Sequence, residues 1–306
     1  MASVGVVLLY HRIASLVPDI HDLCVPPAHF RAHMDHLRRR YRVMPLEDLA
    51  RAAADRAIPE RAVAVTLDDC SIDALETASP ILLEAGVPAT FFATSERLDG
   101  GHEFWWDTLE RILLSEEPVP PRLELVLDRT LTLLPTATAV ERASAHRLLH
   151  QRLVGAAREE REATMGRLVR WRGAVLPPRA SHRPLAAEEL ARLGERPGHA
   201  IGAHTIHHLS LPAQPPAVRD EEVAGNKRHL EAVLGRPVTA FAYPYGSFDE
   251  PTVDVVRRAG FRTAVTVQER AVASGADGLR LPRFALKGDG ERFAAALGRI
   301  FAGAPA

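Results

Sequence analysis

Seven short apolar runs recur along this chain, each close to a turn or to a stretch of helical periodicity. They are Val4–Tyr10, Ala62–Leu67, Ala89–Thr94, His199–Ala203, Val238–Ala242, Arg262–Val267 and Leu279–Leu286. Near-continuous apolar runs of roughly 5–8 residues suit strands covered on both faces, as in a parallel sheet. Amphipathic stretches lie between them. Pro27–Tyr41 places Phe30, Met34 and Leu37 on one face. Ser71–Ala85 runs into Gly86 and Pro88, Ala217–Leu234 into Gly235, and Pro251–Ala259 into Gly260. A glycine just past the last apolar residue is a helix stop signal. Leu185–Leu193 and Asp289–Phe301 complete the set. This alternation predicts an α/β fold built on a parallel sheet, closed or nearly closed as a barrel.

One stretch breaks the rhythm. From Glu103 to about Arg183 the pattern is mainly helical, rich in Arg, Glu and Leu, with a weak hairpin signal over Leu123–Leu134 around Asp128-Arg129. Roughly 80 residues between consecutive barrel strands is too long for one connection. Residues 1–306 therefore read as a single barrel interrupted by an inserted helical subdomain at 103–183, with Leu176–Pro184 as its exit linker. Trp105 and Trp106, beside Asp107, would serve as a sugar-stacking wall or as a hydrophobic anchor of the insertion.

Charge narrows the partners. The 38 basic and 39 acidic side chains leave a formal net charge of −1, which removes the electrostatic case for nucleic acid or an anionic membrane. The apolar run Val4–Tyr10 is too short to span a bilayer and lacks a basic segment before it. Two cysteines, Cys24 and Cys70, make no disulfide framework. A cytoplasmic protein without an integral membrane segment is expected. Oligomeric state is not encoded legibly.

Several polar groups stand at the carboxyl ends of the predicted strands, where parallel α/β folds place their sites. Thr66-Leu67-Asp68-Asp69-Cys70 offers two adjacent carboxylates, either for a metal and a proton or for capping the following helix. His204-Thr205-Ile206-His207-His208 puts His204 and His208 four residues apart, so they would share a face if the segment were helical. His207 is a competing partner, and a histidine-rich surface turn is the plainer alternative. Phe241–Phe248 contains a Tyr-Pro-Tyr-Gly turn that could present a backbone N–H and the rings of Tyr243 and Tyr245 to a sugar, or simply pack as a tight aromatic turn. His11 ends the first strand and Arg283 lies on the last. An Asp with two His suits a hydrolytic ion that keeps one position open for water.

Taken together, these motifs resemble the polysaccharide deacetylases of carbohydrate esterase family 4, the NodB-homology type. Its Thr-[Phe/Tyr]-Asp-Asp-Gly motif is matched by TLDDC, its His-[Ser/Thr]-x-x-His motif by HTIHH, and its Arg-x-Pro-[Tyr/Phe]-Gly motif by AYPYG. The early YHRI, the FWWD of Phe104–Asp107 and the late LRLPRF are similar to one branch of the family, often associated with glycan biosynthesis. The resemblance implies a deformed (β/α)7 barrel. It implies a divalent ion, zinc by preference, on Asp69, His204 and His208, with Asp68 as general base. The backbone N–H of Tyr245 would face the oxyanion, and an N-acetylated sugar or glycoconjugate would lose acetate. Three departures stand out. Cys70 replaces a glycine, Ala242 stands where many members carry an arginine, and the late catalytic histidine is missing. Arg283 is the candidate replacement for the arginine and His11 for the histidine. Competing expectations are an amidase or deformylase acting on a non-polysaccharide small molecule, and a non-catalytic carbohydrate-binding barrel.

Overall fold

The computed structural model describes residues 3–96, 98–127, 130–173 and 176–303. The chain divides into two compact units, Met1–Gly100 with Leu185–Ala306, and Gly101–Pro184.

In the first unit, strand β1 (Gly5–Tyr10) leads to helix α1 (Pro27–Arg40), the short strand β2 (Arg42–Val43), helix α2 (Leu46–Ala54) and strand β3 (Ala62–Leu67). A π-helical turn at Ala74–Ala78 runs into α3 (Ser79–Ala85), which stops at the left-handed Gly86 (φ 64°) before β4 (Ala89–Ala93). In the second unit come α4 (Trp105–Leu114), β5 (Arg122–Leu127), β6 (Thr130–Pro135), α5 (Ala139–Val154) and α6 (Arg158–Arg172). The first unit then resumes with α7 (Ala187–Glu195), β7 (His199–Ala203), α8 (Pro216–Leu234), β8 (Ala240–Ala242), α9 (Glu250–Arg258), β9 (Thr263–Val265) and α10 (Gly290–Phe301).

The strands of the first unit pair in parallel in the order β1-β3-β4-β7-β8-β9, and β2 adds to β3. The last expected strand, Leu279–Leu286, opens in a turn and carries two isolated bridges in place of a ladder. Leu281 bridges to Val265 of β9 and Phe284 to Leu8 of β1, so this segment curls the sheet round toward closure. Pro282 has no N–H to give a ladder, which is a physical reason for bridges in place of a regular strand. The architecture is the deformed (β/α)7 barrel. Neither β2 nor α2 was evident from the apolar pattern.

Alternate strand residues serve two cores, as the two-residue period requires. Val6, Leu8, Val63, Val65 and Phe91 face outward onto Phe30 and Met34 of α1, Leu82 of α3, Leu190 of α7, Leu230 of α8 and Phe293 of α10. Val7, Ala62, Ala64, Phe92, Ala240, Ala242 and Val265 face inward, packed with Leu46 and Leu49 of α2. The inward set is small except for Phe92, whose ring needs the space. Gly202 supplies it, since a Cβ there would overlap that ring and lie 3.1 Å from the Ala240 carbonyl oxygen.

The second unit has its own core. The β5–β6 hairpin is antiparallel, and Leu123, Leu125 and Leu127 face Leu109, Ile112, Leu149, Leu153 and Leu168 from the three helices. Its expected turn, Asp128-Arg129, lies outside the described residues. Trp106 is buried and stacked on Phe104 at 4.4 Å, and Trp105 stacks on His150 at 5.2 Å. Glu103 accepts hydrogen bonds from the Arg179 backbone N–H and from the guanidinium groups of Arg179 and Arg111, which pins the two ends of the unit together.

Overfilling the barrel interior gives a direct test. Gly202→Ala is expected to cost about 1–3 kcal/mol, read from the urea-unfolding midpoint, and an unchanged midpoint would count against the close approach to Phe92.

Candidate active site

Because the strands are parallel, all their carboxyl ends lie on one rim. His11 follows β1, Asp68 and Asp69 follow β3, His204 follows β7, Tyr243 follows β8, and Arg283 sits on the closing segment.

Asp68 continues the ladder, its N–H donating to Tyr10 O at 2.9 Å. The chain then turns sharply, with Asp69 at φ 69° and Cys70 at φ 53°. Left-handed conformation costs a non-glycine residue about 1–2 kcal/mol, so Cys70 carries the strain that a glycine would avoid. Its thiol is buried, donates to Phe92 O at 3.4 Å, and is pushed well above the usual range by desolvation. It is a packed thiol.

The turn points the two carboxylates to different neighbours. Asp69 Oδ1 stands 3.5 Å from His204 Nε2 and 3.4 Å from His208 Nε2, and the two Nε2 atoms are 3.1 Å apart. Donors about 2 Å from one ion at tetrahedral angles stand about 3.3 Å from each other. The triangle therefore fits a single small divalent ion. All three residues are buried. Burial drives His204 below the ordinary histidine range, against the pull of the Asp68 charge, so its ring is neutral. Its Nδ1 lies 2.8 Å from the Ala242 carbonyl oxygen, to which it donates, and this leaves the Nε2 lone pair for the ion. His208 is braced by Tyr245, whose ring meets it edge-on at 4.5 Å and whose hydroxyl donates to His208 O at 3.3 Å.

Asp68 faces Arg283. The guanidinium makes two parallel bonds of 2.7 Å to its carboxylate, one to Thr66 Oγ1 at 3.1 Å and one from Nε to Thr266 O at 2.9 Å. Burial alone would raise the Asp68 pKa, but the charge and hydrogen bonds of Arg283 outweigh it and hold the carboxyl below its ordinary value. His11 is coupled to the same charges. Burial lowers its pKa to about 4, with Asp68 opposing and Arg283 reinforcing, so its ring is neutral near pH 7. Asp73 fixes the residues after it, accepting from Arg12 Nε at 2.7 Å and Ile13 N–H at 2.6 Å.

Two expectations need correction. Residues 204–208 are not helical. They form an irregular loop with Thr205 at φ 66° and His208 at φ 51°, so the histidines meet through loop geometry and not through helical spacing. Tyr243 is a core residue, not a sugar contact. Its ring is fully buried beside Phe241 and Phe248, its hydroxyl donates to Leu279 O at 2.9 Å, and its N–H is taken by Val265 O. Tyr245 occupies the following turn at φ 57°. His207 bonds Glu222. The supporting roles of Thr66, Asp73, Glu222 and Asn226 were missed. Only Gly225-Asn226, an unfavourable pair inside a helix, carried a signal.

The sequence profile of the polysaccharide deacetylase family matches residues 158–264. This stretch includes His204, His208 and the Tyr-Pro-Tyr-Gly turn. Over this stretch the chain is similar to the polysaccharide deacetylases. Among its relatives is the Bacillus subtilis protein YxkH, assigned as a polysaccharide deacetylase, 22% identical over 87% of this chain. The poly-beta-1,6-N-acetyl-D-glucosamine N-deacetylase of Staphylococcus epidermidis is 27% identical over 24% of this chain. The matches span 66% and 25% of those proteins' own lengths. The Streptococcus pyogenes deacetylase PplD, solved in complex with acetate, has the same fold, with a TM-score of 0.64, 18% identity, and coverage of 97% of this chain and 99% of its own. Within this deacetylase fold, no helix of the described residues is long and apolar enough to cross a membrane.

The Asp68–Arg283 pair can be tested by its energetics. The folded Asp68 pKa lies below its unfolded value. Its contribution to stability is therefore present above the ordinary aspartate range near about pH 4 and is lost as pH falls through the lower folded value. Arg283→Met leaves a buried carboxylate alone and is expected to cost about 3–5 kcal/mol at pH 7. Adding Asp68→Asn should return part of that loss in a urea-unfolding double-mutant cycle. Additivity within about 0.5 kcal/mol would show the pair to be uncoupled.

Proposed function

We propose that this protein hydrolyses the N-acetyl amide of an N-acetylated sugar or glycoconjugate, releasing acetate and a free amine. The observation that carries the reading is the triangle of Asp69, His204 and His208 donor atoms beside the Asp68–Arg283 pair on one rim. Two imidazoles and a carboxylate are a common zinc set. Such an ion, when bound, supplies Lewis-acid polarisation of the amide carbonyl and raises the acidity of a water molecule.

The chain's own residues do the rest. Asp68, held ionised and oriented by Arg283, takes a proton from the attacking water as its oxygen bonds to the carbonyl carbon. A carboxylate with a lowered pKa is a weak base, so it serves only a water already made acidic. The Tyr245 backbone N–H, carried on its left-handed turn, is the oxyanion donor in this reading. The carbon–nitrogen bond then breaks and the nitrogen collects a proton. His11 is the candidate for that transfer. Being neutral at rest, it would hold the proton only in passing. The staphylococcal relative's own named substrate makes β-linked N-acetylglucosamine polymers the first compounds to try.

Acetate release should be measured on a panel of N-acetylated sugars and conjugates, with zinc supplied and after chelation. Chelation should abolish release. Asp68→Asn should lower the rate by roughly 100-fold or more while binding the ion normally. His11→Ala should be inactive with a full complement of ion, and an unaffected rate would remove His11 from the chemistry. A zinc-loaded protein that releases no acetate from any member would favour a different amide or a binding function.

A further inference from the structure

The loop from His204 to His208 must bring two imidazoles to one point, and two of the polar side chains that hold it come from α8. Asn226 is fully buried; its Oδ1 accepts the His204 N–H at 2.9 Å, and its Nδ2 donates to Ser95 Oγ at 2.9 Å and Ala93 O at 3.3 Å. One turn earlier, Glu222 is also buried. Its Oε2 accepts the His207 N–H at 2.9 Å and its Oε1 lies 2.5 Å from His207 Nδ1. Residues four apart share a helix face. Gly225 lies between them, and a Cβ there would stand 2.7 Å from Ile206 Cδ1. The loop can approach α8 this closely because that side chain is missing.

These three residues are poor choices for the helix itself. Glycine costs about 1 kcal/mol relative to alanine in a helix interior, and a buried carboxylate or amide is costly unless its bonds are made. Here the bonds are made to the loop. The loop in turn needs outside support, because Thr205 and His208 both have positive φ. Such conformations persist where surrounding contacts over-determine them.

We propose that Glu222, Gly225 and Asn226 form a positioning device that presets His204 and His208 for the ion. This rests on the ion reading of the preceding subsection. None of the three touches the reacting atoms; they act through the loop backbone and His207.

The test uses the full chain, stripped by a chelator and titrated with zinc against a competing chromophoric chelator. Glu222→Ala and Asn226→Leu should each bind zinc about 10–100-fold more weakly while far-UV circular dichroism remains that of a folded protein. Glu222→Gln, whose amide oxygen can still accept the His207 N–H, should recover most of the affinity. In the zinc-free wild type, the His207 amide, whose acceptor is Glu222, should exchange with solvent as slowly as strand amides. That measurement needs no variant to fold. Folded Glu222→Ala and Asn226→Leu proteins with wild-type affinity would overturn the proposal, as would fast exchange at the His207 amide. A wild type that binds no zinc would instead sink the ion reading, and this proposal with it.

Discussion

The site depends on one buried ion pair. Arg283 sits between Leu281, which bridges to β9, and Phe284, which bridges to β1. Its guanidinium crosses to the end of β3 and grips both oxygens of Asp68. The segment that curls the sheet toward closure therefore also orients the proposed base. A charge pair of this kind is weak evidence for net stability, because desolvation consumes much of the attraction. Its effect is geometric. Arg283 has its Nε on Thr266 O and a further contact to Thr66, so its position is over-determined. Asp68 inherits that precision.

Backbone strain is concentrated in the same place. Asp69, Cys70, Thr205, His208 and Tyr245 all have positive φ. Each belongs to a loop that follows a strand of the barrel. A strand points successive side chains to alternate faces of the sheet, and a left-handed step breaks that alternation. Asp69 thereby leaves the line of β3 and meets the two histidines. The cost is met by packing around the loops, from the Ala242 carbonyl to the polar face of α8. The region that matches the deacetylase profile carries both histidines, while Asp68 and Asp69 arrive at the same rim from outside it.

Much of this was legible in the chain. Apolar runs located Ala62–Leu67 and His199–Ala203 to the residue, because both are long, buried and bounded by polar turns. The glycine stops at Gly86 and Gly235 fell where the helices end in left-handed caps. Asp69, His204 and His208 were identified from motif and position. The reason they meet was not legible, since the spacing argument held only for a helix and the segment is a loop. Tyr243 was misread because an aromatic in a turn looks the same in sequence whether it faces solvent or core. The strand β2 escaped notice because two residues carry no periodicity. Glu222 and Asn226 escaped because a polar residue in a helix is ordinarily solvated.

The sequence by itself determined most of the strands and helices, and that strand carboxyl ends would carry carboxylates and imidazoles. These are local properties, set by burial pattern, chain direction and turn chemistry. The tertiary structure decided the partners. Arg283 reaches Asp68 across 215 positions of chain, and Asn226 reaches the His204 amide from a helix whose pattern says nothing of a ligand loop. Those pairings depend on how the sheet curls and how closely α8 can approach, and neither is a property of any one segment.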